Sequence, residues 1–193
     1  MNLPKFFVPH IPRTAGTTFK NMIKLVYGNK MLMHGGQKKY PDYEQYLVIQ
    51  GHIRWFVYDH LPRVIWIRNP VDRIASQYYH WLEHPDMNHD VCRLLIEKGI
   101  DIREFAKRIP EMTIYIAGSD LNNFAFVGLT EYFDEDIVRF EKQFGLELPR
   151  LPKMRVTKNK PEISSDDRLW IEDYYKDGMK LYEEALKGRE QNG

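Results

Sequence analysis

The 193-residue chain has one cysteine, Cys92, so neither an intrachain disulfide nor a cysteine-built metal site can shape it. No stretch approaches the roughly eighteen consecutive apolar residues of a membrane helix. The opening Met-Asn-Leu-Pro-Lys also lacks the apolar core of a secretory signal, and a soluble, cytoplasmic protein is expected. Charge of one sign is missing as well. Twenty-eight Lys and Arg stand against 27 Asp and Glu, which removes any global attraction to nucleic acid or to an anionic membrane. Any electrostatic function must therefore be local. With 12 glycines and 11 prolines, and no internal repeat, the chain is neither collagen-like nor of low complexity. Its length suits one core, so a single domain over 1–193 is expected, with residues 188–193 frayed.

What is present alternates between two periods. Lys5 to Ile11 is a short apolar run closed by Pro12, of a length that suits a strand buried on both faces. Phe19, Met22, Ile23 and Val26 then recur at helical spacing, with Thr17 or Thr18 placed to cap the start and Gly28 to end it. Lys30 to His34 and Tyr46 to Gln50 read as two further strands. Arg63 to Arg68 is β-branched and aromatic. Asn69-Pro70 breaks that run before a second amphipathic helix with Val71, Ile74, Tyr78, Trp81 and Leu82 inward. Short helices are expected between Asp90 and Gly118, a last inner strand at Phe124 to Gly128, and a helix from Glu131 to Phe144. After a loop rich in Pro and Lys at 149–161, Ser164 with Asp167 resembles a capping box that opens one terminal helix running to about Lys187. Strands alternating with helices imply an α/β fold with a central parallel sheet covered on both faces. Ligands of such sheets bind at the carboxyl ends of the strands.

The segment Arg13-Thr14-Ala15-Gly16-Thr17-Thr18 lies at such an end. Gly16 lets the backbone approach an anion, the following helix offers unpaired N–H groups and the positive end of its dipole, and two hydroxyls and a guanidinium complete a phosphate cradle. The plainer reading is a tight turn with a helix cap. No Lys-Ser or Lys-Thr follows the glycine, and the other strands do not end in an aspartate suited to magnesium, so a metal-dependent nucleotide triphosphatase is not expected. The loop suits a phosphate ester neutralised by protein cations, with no metal. The second unit, Arg68-Asn69-Pro70-Val71-Asp72-Arg73-Ile74-Ala75-Ser76-Gln77-Tyr78, ends a strand in Arg68 and places Ser76 on the next helix, where the two could clasp a second phosphate. A surface arginine is the alternative for Arg68, and a helix salt bridge is the favoured reading of Arg73 taken alone.

These two loops, in this order and at this spacing, resemble the 5′-phosphosulfate and 3′-phosphate loops of sulfotransferases that use 3′-phosphoadenosine 5′-phosphosulfate (PAPS). The branch most similar is the carbohydrate group of heparan sulfate 2-O- and 6-O-sulfotransferases. Phe124 to Asp134 and the Asp-x-x-x-Leu-Tyr pattern at Asp177 to Tyr182 are similar to stretches of the same family. The resemblance implies a P-loop-like three-layer fold, PAPS as donor with PAP as product, and a hydroxyl-bearing acceptor, carbohydrate in that branch. It implies that Arg13, Thr14, Ala15, Gly16, Thr17 and Thr18 hold the phosphosulfate, that Arg68 and Ser76 hold the 3′-phosphate, and that Arg13, standing where relatives carry lysine, stabilises the leaving group. In Gln50-Gly51-His52 it points to His52 as the base that deprotonates the acceptor, a task suited to histidine. His10 and His34 are the rival bases, whereas His80, His84 and His89 read as surface or packing residues. Within the basic stretch of Arg150, Lys153, Arg155, Lys158 and Lys160, which otherwise reads as an ordinary solvated loop, the triplet Lys158-Asn159-Lys160 is the candidate for a late loop closing over the nucleotide or for contact with an anionic acceptor. Two rivals from other classes are a degenerate P-loop kinase and a non-catalytic nucleotide-binding module of the same fold.

Overall fold

The computed structural model describes residues 3–35, 38–116, 120–152, 154 and 161–191. Among them are five strands: β1 (Phe6–Pro9), β2 (Met31–Met33), β3 (Val48–Gly51), β4 (Val64–Ile67) and β5 (Phe126–Leu129). All pair in parallel. One ladder runs β1-β3-β2 and another β4-β5, and a bridge from Phe7 to Arg63 joins them into the order β2-β3-β1-β4-β5. Seven α-helices are described: α1 (Gly16–Tyr27), α2 (Pro70–Glu83), α3 (Asp90–Lys98), α4 (Ile102–Ala106), α5 (Phe133–Phe144), α6 (Ser165–Tyr174) and α7 (Lys176–Gln191).

The period of two along each strand sorts the core into layers. Phe6 and Val8 of β1 and Val64 and Trp66 of β4 meet Phe19, Met22 and Ile23 of α1 and Phe133, Ile137 and Phe140 of α5. Ile65 and Ile67 turn to the other face, against Leu181, Tyr182 and Ala185 of α7. Phe7 and Ile49 share that second face with Val57, Tyr58 and Leu61. This is the expected three-layer α/β arrangement, a parallel sheet with helices on both sides. Beside it, α2, α3, α4 and α6 gather a cluster around Ile74, Cys92, Phe105 and Ile171. Among the described residues no helix is long and apolar enough to cross a membrane.

One proline opens the crevice. The amides of Phe6 and His10 donate to Leu47 and Gly51 of the β3 side (2.9 and 2.7 Å), whereas the amide of Phe7 donates to Pro62 on the β4 side (2.8 Å). Alternation then directs the nitrogen of residue 9 toward β4, and Pro9 has no hydrogen to give. Pairing of β1 with β4 stops after Phe7, and the carboxyl ends of the two strands part at the point where the strand order reverses, the usual ligand position in open α/β sheets.

Several expectations are corrected. Neither Thr17 nor Thr18 caps α1: its N-cap is Ala15, in the left-handed region. Leu82 faces outward, 45% exposed. The helix expected from Glu131 begins at Phe133, after a 3₁₀ turn at Thr130–Tyr132. The terminal helix is two helices, opened as expected by Ser164, whose Oγ accepts from the amide of Asp167 (3.1 Å). They break at Tyr175, whose hydroxyl donates toward the carbonyls of Ala106 (2.6 Å) and Ile109 (2.8 Å). α7 runs to Gln191, and in its last turn Arg189 is anchored to Asp136 (2.9 Å) and lies over the ring of Tyr132.

Candidate functional site

The β1–α1 loop is tight enough to require two non-glycine residues with positive φ, Arg13 at 68° and Ala15 at 60°. Each costs about 1–2 kcal/mol relative to ordinary backbone, and such outliers concentrate at functional loops. Buried Thr14 helps hold the turn by donating its Oγ1 proton to the carbonyl of Ile11 (2.8 Å). Ala15 puts no side-chain acceptor on the first turn of α1, so that turn presents backbone donors and a positive dipole end. Gly16 is needed for a reason more specific than anion approach: a Cβ there would lie 2.2 Å from the imidazole of His10. Thr18 is buried and its Oγ1 accepts the amide of Met154 (2.9 Å), whereas Thr17 lines the cleft.

The β4–α2 loop faces it. Asn69 caps α2 by accepting from the amides of Val71 (3.0 Å) and Asp72 (3.3 Å), and Pro70 opens the helix. Arg68 donates from Nη1 to the carbonyl of Arg13 (3.2 Å). Arg13 in turn donates from Nε (3.1 Å) and Nη2 (3.0 Å) to the hydroxyl of Ser76. Arg13 and Ser76, expected at different phosphates, are thus directly bonded. Burial pulls the Arg68 guanidinium below its usual range, opposed by the carboxylates of Glu131 and Asp72, and a bound anion would act in the same direction as those carboxylates. Arg73 is not the surface salt bridge its sequence context favours. It is 2% exposed and donates to the carbonyl of Pro110 (2.7 Å).

His52 follows β3 and is exposed on the cleft. Its Nδ1 lies 2.9 Å from the carbonyl of His10. A carbonyl only accepts, so Nδ1 carries the proton, and the neutral ring keeps its lone pair on Nε2. The rings of His10 and His52 stack at 4.6 Å and 23°. His34 sits elsewhere, with its Nδ1 3.0 Å from the hydroxyl of Tyr58 and its pKa lowered by burial; it does not line the cleft.

The cleft joining these groups has a volume of about 930 Å³, within the usual range for small-molecule sites. It brings together Arg13, Ala15, Gly16, Thr17, Thr18, His52, Arg68 and Ser76, while Thr14 turns inward. Lys158, Asn159 and Lys160 lie outside the described residues. His80 and His84, read from sequence as surface or packing residues, line the same cleft with Gln77 and Asp86. The signal for them was available: Ser76, His80 and His84 succeed one another at intervals of four on one helix, which places them along one face. Two guanidinium groups, hydroxyls and helix-end amides form a donor set suited to a ligand with two separate anionic groups.

No curated protein matches the chain in sequence. The family model described as "Sulfotransferase family" matches residues 4–141, more than half of the chain. That stretch runs from ahead of β1 into α5 and contains both loops, His52 and Ser76. With a P-loop-like sheet and this match, the chain belongs to the sulfotransferase family.

Proposed function

We propose that this sulfotransferase takes the sulfuryl group from PAPS and places it on a hydroxyl of a carbohydrate acceptor, with His52 as general base. The observation that carries the reading is the shared cleft: a histidine with one nitrogen tied to the His10 carbonyl stands beside two arginines and a helix-end loop. The cleft's donor set fits the nucleotide, and when bound PAPS supplies a sulfuryl group activated on a phosphate.

In this reading Arg68 and Ser76 hold the 3′-phosphate. The amides at the start of α1, with Thr17 and Arg13, bind the phosphosulfate end and neutralise charge that grows on the departing phosphate. Nε2 of His52 takes the acceptor proton as the acceptor oxygen bonds to sulfur and the bond from sulfur to the bridging oxygen breaks. PAP leaves with the electron pair, and the proton passes from His52 to solvent. Lys158, Asn159 and Lys160 enter as donor contacts on the strength of the sequence alone. The carbohydrate acceptor rests on the resemblance to the 2-O and 6-O branch.

Transfer of labelled sulfate from PAPS to a panel of glycans and simple alcohols tests the assignment. His52→Ala should lower kcat about 100- to 10,000-fold while PAP affinity, measured by calorimetry, stays near wild type. Turnover at the wild-type rate in that variant refutes the base. PAP binding without transfer to any acceptor would instead identify a non-catalytic module.

A further inference from the structure

Given this reading of the cleft, we propose that His10 is the positioning residue that ties the base, His52, to the phosphate loop. Several contacts converge on it. Its amide donates to the carbonyl of Gly51 (2.7 Å), fixing the end of β1 against the strand that carries His52. Its carbonyl accepts Nδ1 of His52 (2.9 Å), which selects the tautomer. Its ring stacks on the His52 ring at 4.6 Å, which sets the plane of the base. The edge of the same ring, Cδ2 and Nε2, fills the space where a Cβ of residue 16 would be, 2.2 Å from either atom.

The backbone contacts survive substitution of His10 by alanine, whereas the stack and the contact with Gly16 belong to the side chain. The base is therefore aimed by a ring whose other side is held by the first residue of α1. A shift of the loop moves the His10 ring, and the ring moves His52. Gly16 is at the start of a helix, without a positive φ, so alanine suits its backbone and only His10 opposes it.

This geometry makes the effects of the two positions interdependent. His10→Ala should lower kcat about tenfold to a hundredfold, since misplacing a reacting group by about an ångström has that effect, with PAP affinity within about threefold of wild type. Gly16→Ala in the wild-type background should push the His10 ring off His52, lowering kcat to a similar degree and Tm by about 4 °C. In the His10→Ala background the same Gly16→Ala change should cost far less Tm. Wild-type kcat in His10→Ala overturns the proposal. So does a Gly16→Ala loss of Tm that is equal in the two backgrounds, or a loss of PAP affinity in His10→Ala as large as the loss of kcat. If the wild-type protein transfers no sulfate, the sulfotransfer reading fails separately. The Tm cycle and the His52 nitrogen resonances, which should show Nδ1 protonated and change on His10→Ala, then decide the His10 contacts without turnover.

Discussion

Ser76→Ala should weaken binding of the 3′,5′-bisphosphate PAP about tenfold to a hundredfold and leave binding of the 5′-monophosphate AMP within about twofold. The magnitude follows from the geometry of one hydroxyl. Ser76 is 5% exposed and accepts from Nε (3.1 Å) and Nη2 (3.0 Å) of Arg13. In the proposed placement a bound 3′-phosphate accepts a hydrogen bond from this same hydroxyl. A hydrogen bond to a charged group is worth about 1.5–3 kcal/mol, which converts to the stated range. Loss of the Arg13 anchor adds a second, smaller effect, because the guanidinium no longer has a fixed place beside Arg68. Calorimetric titration of PAP and AMP at one ionic strength measures the difference directly, and the salt must be held constant because the site is cationic. Arg13→Gln in a cycle with Ser76→Ala should give a double variant that loses less than the sum of the single changes, as residues in contact do. Equal weakening of PAP and AMP by Ser76→Ala, or no weakening of either, would refute the placement of the 3′-phosphate at this hydroxyl.

Two predictions concern stability. Asp136, with its side chain fully buried, accepts from the amide of Leu129 (2.7 Å), Nη1 of Arg139 (2.9 Å) and Nε of Arg189 (2.9 Å). Asp136→Ala should therefore cost about 3–5 kcal/mol in urea unfolding, by leaving the Leu129 amide and the Arg139 guanidinium without this acceptor and Arg189 with Glu135 alone, and a cost under about 1 kcal/mol would refute that account. Glu141 is held below the usual carboxylate range first by its bond from Arg150 and also by the amide of Leu148, against the upward pull of burial. A depressed folded-state pKa means that the unfolded chain binds the proton more readily. The stabilisation is thus complete above the unfolded value of about 4.3 and is lost as pH falls through the lower folded value. Glu141→Gln should flatten that part of the acid limb in pH-dependent unfolding, and an unchanged limb would show that the pair contributes nothing.

Features that depend on neighbours in sequence were legible in it. β1, β4, α1 and α2 follow from runs and periods, and the Asn69-Pro70 start of α2 follows from local capping chemistry. The position of both loops and of His52 on one cleft was legible for the same reason, because each lies just past the end of a strand. Features that depend on distant partners were not. Tyr175 breaks the terminal helix because its hydroxyl reaches carbonyls nearly seventy residues away. Arg73 is buried because Pro110 supplies an acceptor that no helical spacing reveals. His80 and His84 carried a usable interval, but which face of α2 looks into the cleft depends on how the helix packs against α3, α4 and α6. A second demand on Gly16 was not legible: the space a Cβ would take is filled by the ring of His10, just past β1.

The missing hydrogen of Pro9 also divides the sheet into two leaves, one of three strands and one of two, with their backbone seam closed only near Phe7. Beyond that point side chains carry the seam: Arg68 reaches across to the carbonyl of Arg13, and Arg13 reaches back to Ser76. His52 and the β1 loop ride on one leaf, and Arg68 and Ser76 on the other. At their carboxyl ends the leaves are thus joined by these polar contacts and by the packing of Ile11 in one cluster with Ile65 and Ile67, not by strand pairing. A molecule gripped from both sides is then a staple across the seam, and its binding stiffens the sheet at the one place where the backbone leaves it unstitched.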